Sequence, residues 1–369
     1  MPSDLLRIVC FISDLDGGGA QRTMINLVKE LPGHGIQPHL IVGRADGPLR
    51  EAVPKKCEFT DLNLARTRQA LWPLRAKIRE LQPDLVFSTM LASNIIAAGS
   101  RLMLARAPKL VLRETNSHRA RADLSGLTRR LAGWVYRQAD GVVALSEGVR
   151  RELIEDYRLS ENKVKTIHNP INLEHLKKNN SPAPWKDGAP VVLAAGRLTR
   201  QKGFDILLHG FAKSGSNWRL AIIGDGPDKA AIQTLANELG IGSQVMLPGF
   251  ISDPIPWFKN AELFVLSSRW EGFGHVIVEA MACGTPVIAT DCPWGPTDII
   301  THKETGWLVE SENTEALAEA IRRLTLDDAE RCRLGSASIP AAERFAAPAI
   351  SHQYAELFGS ILSHGRGVL

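Results

Sequence analysis

No stretch of the chain approaches the roughly 18 uncharged apolar residues that a membrane-spanning helix requires, so nothing in it is expected to cross a bilayer. The opening, MPSDLLRIVCFISDLDGGG, lacks the basic start and long apolar core of a secretory signal; Asp4 is an acid instead. Cysteine is scarce: Cys10, Cys57, Cys283, Cys292 and Cys332 form no CxxC pair, and an odd count suits no closed disulfide framework. A reducing compartment, and with it cytoplasmic residence, is the expectation. The charge is also nearly balanced, 44 Lys+Arg against 40 Asp+Glu for a net +4, which is too little for a nucleic-acid coat but leaves room for a local basic surface. What is present is a globular composition, 44% hydrophobic and 23% charged over 369 residues. At about 150 residues per domain that length points to two domains.

Each half alternates short β-rich runs with helical patterns. In the first, LRIVCFI at 6–12 ends at Gly17, Gly18 and Gly19, before a helical pattern led by Ala20, Met24, Leu27, Val28 and Leu31. Further runs lie at 84–88, 109–113, 141–145 and 163–167, with helical segments between several of them. Residues 168–190, HNPINLEHLKKNNSPAPWKDGAP, read as a domain junction. The rhythm then restarts at 190–196, 219–224, 244–249, 262–267 and 286–290. Strands separated by helix-length intervals make both halves α/β, with parallel sheets covered on both faces. The last stretch, FAAPAISHQYAELFGSILSHG, is helix-like and fits either domain.

Three loops hold candidate chemistry. In SDLDGGGAQR, Gly17, Gly18 and Gly19 open a helix whose unpaired N–H groups suit an anion. Residue 22 is arginine, so the dinucleotide fingerprint is incomplete and a flexible turn stays open. Asp14 and Asp16 form only a lone D-x-D, and no metal site is assigned to them. In GRLTRQKGFD, Arg197 and Lys202 follow a buried strand, where two cations suit a departing diphosphate; ordinary solvated charges are the alternative. Gly224 and Gly226 in IIGDGP give backbone access to the same place. In SSRWEGFGHVIVEAMAC, Glu271 occupies a glycine loop with Gly272 and Gly274, and Glu279 follows eight residues on within an apolar helical run. A wholly helical stretch would turn both carboxylates to similar sides. An acid among apolar neighbours needs a partner such as sugar or ribose hydroxyls.

Residues 101–137 contain nine Lys or Arg, namely Arg101, Arg106, Lys109, Arg113, Arg119, Arg121, Arg129, Arg130 and Arg137, against Glu114 and Asp123. Within them LTRRLAGWVYR mixes Leu127, Leu131, Trp134 and Val135 with cations, as an amphipathic helix at an anionic membrane surface does; packing on its own domain is the alternative.

GRLTRQKGFD, IIGDGP and the segment from Glu271 to Glu279 followed by AMACGTPVIAT resemble the retaining GT-B nucleotide-sugar glycosyltransferases, family 4-like, that assemble bacterial surface glycans and lipid-linked oligosaccharides. The likeness extends over nearly the whole chain. It implies two facing Rossmann-like domains: 1–170 on the acceptor side, 171–345 binding the nucleotide sugar, and a crossover helix at 346–369 packing back toward the first. By motif position, Arg197 and Lys202 are expected to hold the donor diphosphate, Glu271 to face the transferred sugar, and Glu279 to bind the ribose. The backbone of Gly272, Phe273 and Gly274 is expected near the sugar and that of Gly249 and Phe250 near the nucleobase. Gly17–Gly19 should close over the phosphate. Relatives carry a histidine beside the reacting sugar where this chain reads VLRETNSH, so Glu114 and His118 are the candidates, with an unremarkable loop histidine as the alternative.

The resemblance implies a hexose or N-acetylhexosamine passed with retained configuration from a UDP-sugar, the leaving diphosphate helping to take the acceptor proton. No organic cofactor or metal is implied. The acceptor would be a glycan or lipid-linked saccharide of cell-envelope polysaccharide, met at the cytoplasmic face of the inner membrane, with no nucleic-acid partner. A sugar-nucleotide epimerase, a phosphorylase or a non-catalytic sugar-nucleotide-binding protein are the other readings.

Overall fold

The computed structural model describes residues 5–102, 104–119, 124–178, 181–185 and 188–363, and divides into two units, Met1–Pro170 with Ala347–Leu369, and Ile171–Ala346. Arg121 and Asp123 of the basic segment, and Asp4, lie outside the described residues.

Unit 1 is built on a parallel sheet of seven strands, β1 (Leu6–Ile12), β2 (Ile36–Val42), β3 (Glu58–Asp61), β4 (Leu85–Thr89), β5 (Lys109–Glu114), β6 (Gly141–Ala144) and β7 (Val164–Thr166), in the order β3-β2-β1-β4-β5-β6-β7. Helices α1 (Gly19–Glu30), α2 (Leu71–Leu81), α3 (Leu91–Arg101), α4 (Gly126–Gln138) and α5 (Glu147–Tyr157) cover it. Strands buried on both faces must be apolar without alternation, and β1 is: Ile8, Val9, Cys10, Phe11 and Ile12 are all buried. Strand β2 carries Pro38, which argues against an interior strand because proline donates no ladder bond. It is tolerated because β3 begins only opposite His39, so Pro38 pairs with Ile8 of β1 on one side alone.

Unit 2 repeats the plan with α6 (Leu173–Lys178), α7 (Phe204–Ser214), α8 (Lys229–Glu238), α9 (Ile255–Asn260), α10 (His275–Ala282), α11 (Pro296–Ile299), α12 (Thr314–Leu326) and α13 (Asp328–Ala342) around six parallel strands. These are β8 (Val191–Ala195), β9 (Arg219–Ile223), β10 (Val245–Gly249), β11 (Leu263–Leu266), β12 (Val287–Asp291) and β13 (Trp307–Glu310), ordered β10-β9-β8-β11-β12-β13. In both sheets the winding direction reverses once, between β1 and β4 and between β8 and β11. The crevice beyond the carboxyl ends of such strands is where open α/β sheets take ligands.

The last helix, α14 (Ala347–Ser363), belongs to unit 1, packing on α1 and sending Ile350, Tyr354 and Phe358 into the core of β1, β4 and β5. Phe358 stands 5.5 Å from the Phe87 ring and 5.8 Å from Tyr354. Phe358 is fully buried, so Phe358→Ala is expected to destabilise unit 1 by about 3–5 kcal/mol, read as lost hydrogen-exchange protection of the β4 and β5 amides in mild urea.

Candidate functional site

Sheet order lays the loops after β10, β9, β8 and β11 side by side in unit 2. Their spacing is set by glycine. Gly224, at φ +133°, is so close to its neighbour that a Cβ would stand 1.9 Å from the Gly196 carbonyl oxygen, and its N–H donates to Gly249 O at 2.8 Å. Gly203, at φ +61°, is likewise pressed onto β11: a Cβ there would lie 2.1 Å from Ser267 O. A side chain at either position would push the loops apart. Gly226 lies against Leu198, so the residues picked out by IIGDGP and GRLTRQKGFD form one backbone floor.

On that floor the Lys202 stem passes over Gly196 and its Nζ reaches Glu271 Oε1 at 2.5 Å. Ser268 Oγ donates to the same oxygen at 2.5 Å. Glu271 is buried and the Lys202 side chain is only 17% exposed, so the pair is largely out of water at the β8/β11 reversal. Arg197, on the same loop, is exposed and makes no ion pair among the described residues. Glu279 is partly exposed on α10. The two-turn argument linking it to Glu271 does not hold, because the helix begins only at His275 after Gly274, and residues 271–274 are loop. The Phe273 ring is buried against Phe345 at 5.4 Å and His275 at 5.6 Å, which leaves its backbone as the part able to meet a ligand. Phe250, by contrast, is 73% exposed after β10.

Arg269 is a residue the sequence reading missed. Its guanidinium donates to Asp205 Oδ1 and Oδ2 at 2.8 and 2.7 Å, to Glu312 at 2.6 Å and to the Arg200 carbonyl at 2.9 Å. These hydrogen bonds, ahead of burial, hold the Asp205 carboxyl below the usual carboxylate range. Arg269 N also donates to Gln201 O at 2.8 Å, Gln201 Nε2 to Trp270 O at 2.9 Å, and Ser267 Oγ to Lys202 O at 2.9 Å. The two loops carrying Lys202 and Glu271 are thereby tied into one body. The only sequence signal was its place, two residues before Glu271.

In unit 1, Gly18 caps α1 without a side-chain hydrogen bond, and Gly18 and Gly19 are exposed beyond the end of β1. Asp14 accepts from Ser13 Oγ at 2.6 Å, Gln21 Nε2 at 2.8 Å and Asp16 N at 3.2 Å, and Asp16 accepts from Arg44 at 3.2 Å. Among the described residues no group of three or more His, Cys, Asp or Glu is placed to hold a metal ion.

Glu114 and His118 do not present themselves to a ligand. Arg113 and Glu114 are consecutive on β5 and point to opposite faces. Arg113, wholly buried, donates to Thr89 Oγ1 at 3.1 Å and to Asn169. Glu114 turns the other way, accepting from Tyr136 OH and from the N–H groups of Thr115 and Asn116 at 2.9 and 3.1 Å. His118 is 2% exposed, with Nδ1 2.5 Å from Tyr157 OH and Nε2 3.0 Å from Glu114 Oε2, an ion-pair distance off a straight hydrogen bond. Glu152 holds the loop from below, accepting from Ser117 Oγ at 2.6 Å and from the N–H groups of His118 and Arg119 at 2.6 and 2.9 Å. The pair is a buried brace that fixes residues 115–119 onto α4 and α5.

Much of the basic segment is likewise structural: Arg101 and Lys109 pair with Asp140, Arg119 with Glu155 and Asp156, and Arg113 is buried. Apolar side chains of the segment reach the surface along one face of α4. Leu127, Leu131 and Trp134, at helical spacing, are 77%, 41% and 38% exposed beside the exposed Arg130, whereas Val135 points into the core. No helix among the described residues is long and apolar enough to cross a membrane.

Two family descriptions match the chain, Glycosyltransferase Family 4 over residues 17–175 and Glycosyl transferases group 1 over residues 177–339. The chain is 26% identical over 334 residues to the Campylobacter jejuni N-acetylgalactosamine-N,N'-diacetylbacillosaminyl-diphospho-undecaprenol 4-alpha-N-acetylgalactosaminyltransferase, covering 86% of this chain and 90% of that protein. It is 27% identical to the Rhizobium meliloti lipopolysaccharide core biosynthesis glycosyltransferase LpsE, covering 93% of this chain and 96% of that one. Among solved structures, Anabaena HepE in complex with UDP-glucose superposes with a TM-score of 0.80 at 23% identity, over 96% of this chain and 100% of that one; at this identity the likeness is one of fold.

The Glu114 brace has a pH signature. Burial pushes its carboxyl up, but the close approach of the His118 ring, the Tyr136 hydroxyl and the Thr115 N–H outweigh burial and hold it below the usual range. A depressed folded value contributes stability that is present above the unfolded value, about 4.3 for a glutamate, and lost as pH falls through the folded value. Glu114→Gln is therefore expected to cost about 1–3 kcal/mol near neutral pH and to flatten the acid limb of the urea-midpoint profile. An unchanged acid slope in the variant counts against the brace.

Proposed function

The chain is a GT-B glycosyltransferase similar to the group 1 and family 4 enzymes of bacterial glycan assembly, and from that premise we propose that unit 2 binds a UDP-sugar and transfers its hexose or N-acetylhexosamine, with retained configuration, to a glycan or lipid-linked saccharide held by unit 1. The observation that carries this reading is the Lys202–Glu271 pair on a glycine floor at the β8/β11 reversal. An ammonium has three N–H donors and Glu271 takes one, so Lys202 can donate to a diphosphate oxygen while it stays held in place. Arg197, without an ion pair among the described residues, is available to a second oxygen. Positive charge fixed where negative charge develops stabilises the departing nucleoside diphosphate, whose freed oxygen is basic enough to help accept the acceptor proton.

The other assignments rest on position. Glu271 would face the sugar, with the backbone of Gly272, Phe273 and Gly274 beside it, and Glu279 the ribose. Gly224 and Gly226 would let backbone approach the diphosphate, Gly249 and the exposed Phe250 would lie by the base, and Gly17–Gly19 would meet the phosphate and sugar. Support for a UDP-linked donor comes from HepE with UDP-glucose, and for a lipid-linked acceptor in envelope glycan synthesis from the Campylobacter and Rhizobium proteins.

Calorimetric titration with UDP, GDP, ADP and CDP is expected to show selective UDP binding, weakened in Glu279→Ala. Turnover of a UDP-sugar should fall about 10²–10³-fold in a folded Lys202→Ala, as for loss of one transition-state donor. Equal turnover in that variant, or no nucleotide binding by the wild type, defeats the reading.

The exposed face of α4 would rest on an anionic membrane surface at the cytoplasmic face, bringing unit 1 to a lipid-linked acceptor. Cosedimentation with phosphatidylglycerol vesicles should be salt-sensitive and reduced in Leu127→Asp/Trp134→Asp. Wild-type protein that stays in the supernatant at low salt refutes this placement.

A further inference from the structure

Unit 1 has a second concave surface at the amino ends of its strands, the edge opposite the glycine loop. Pro83 precedes β4 and Pro108 precedes β5, and with Ile78 and Leu104 they floor a groove of about 320 Å³. Three guanidiniums line it: Arg75 and Arg79 one turn apart on α2, and Arg106 from the segment that leads into β5. No carboxylate among the described residues does. The nearby acids are engaged elsewhere, Glu80 with Lys77 at 2.8 Å, Asp84 with the Arg7 N–H at 3.0 Å, and Asp140 with Arg101 and Lys109 at 2.9 and 3.0 Å. Among the described residues Arg79 and Arg106 make no ion pair, while Arg75 lies over the exposed Trp72 ring at 5.5 Å.

Arginines near a helix C-terminus are favoured by the helix dipole, and that accounts for part of the pattern. The dipole, however, amounts to about half an elementary charge, against three full ones here, and Arg106 comes from outside the helix. The α2 end is also partly satisfied, since Gln82 O accepts from Arg7 at 3.1 Å. Arg79 and Arg106 reach the groove from different elements with no ion pair among the described residues, and guanidinium forks match phosphate oxygens in pairs. The described residues of the lining include no aromatic ring to stack a base, and about 320 Å³ is at the lower limit of small-molecule sites, which favours a small anionic group over a whole nucleotide sugar.

We propose that this groove binds a phosphate or diphosphate group, Arg79 and Arg75 donating from one wall and Arg106 from the other. The shared chemistry is a multiply charged phosphate anion, whether free or the headgroup of a lipid. The groove is lined by residues of unit 1 alone, and the proposal does not depend on the donor reading.

The test compares wild type with Arg79→Glu/Arg106→Glu in two arms, both with UDP present to occupy any donor site. One arm is calorimetric titration with inorganic pyrophosphate; the other is cosedimentation with phosphatidic acid vesicles. Circular dichroism and thermal unfolding of the double variant report its folding. Pyrophosphate binding that weakens at least about tenfold in the variant, and also with rising salt, supports the free anion. Vesicle binding that weakens likewise while pyrophosphate does not bind supports the lipid headgroup. If neither probe distinguishes a folded variant from wild type, the proposal is overturned.

Discussion

How closely the backbone after β8 can approach β9 and β11 governs everything around Lys202 and Glu271. Gly224 and Gly203 fill positions where a Cβ would stand about 2 Å from a neighbouring carbonyl oxygen, nearer than real Cβ atoms come. Only with those side chains absent can the Lys202 loop lie on Ser267 and bring an ammonium onto a buried carboxylate. Arg269 then holds the same two loops from outside, through Asp205, Glu312 and the Arg200 carbonyl. A charge pair this far from water is costly to form and more costly to break from one side, so its geometry is held by the whole loop pair rather than by the two side chains alone.

Unit 1 uses one strand for two buried polar systems. The alternation of β5 sends Arg113 toward Thr89 and Asn169 on one face and Glu114 toward Tyr136 and His118 on the other. Asn169 also accepts from Thr23 of α1 at 2.9 Å, so the helix behind the glycine loop and the buried Arg113 guanidinium meet at one amide oxygen. The two networks fix what flanks the carboxyl end of the sheet without either presenting a side chain to a ligand.

The α/β rhythm, most strands and the loops of unit 2 were legible because buried parallel strands write continuous apolar runs and glycines mark their ends. Three strands escaped for physical reasons. Pro38 masks β2, β3 is the short polar-edged EFTD, and β13 is a four-residue edge strand. Lys202 and Glu271 were readable from their loops, but their pairing was not, since it arises from contact between β8 and β11. Nor could spacing reveal that the first turn after Glu271 is not helix. The sequence around Glu114 and His118 carries no sign of burial, because their partners Tyr136, Glu152 and Tyr157 lie tens of residues away. The inward packing of the Phe273 ring on Phe345 was not legible either, because Phe345 lies 72 residues away.

The order in which the chain emerges gives α14 a further meaning. The face of β1, β4 and β5 that receives Ile350, Tyr354 and Phe358 is completed by residues translated after the whole of unit 2. Until then Phe87 and its neighbours have no cover, and a nascent chain arrested anywhere in between carries an open apolar surface on a unit whose strands are already made. Exposed surface of this kind is what chaperones and proteases recognise. The closing helix thus leaves the core of the first half incomplete until the second has been made.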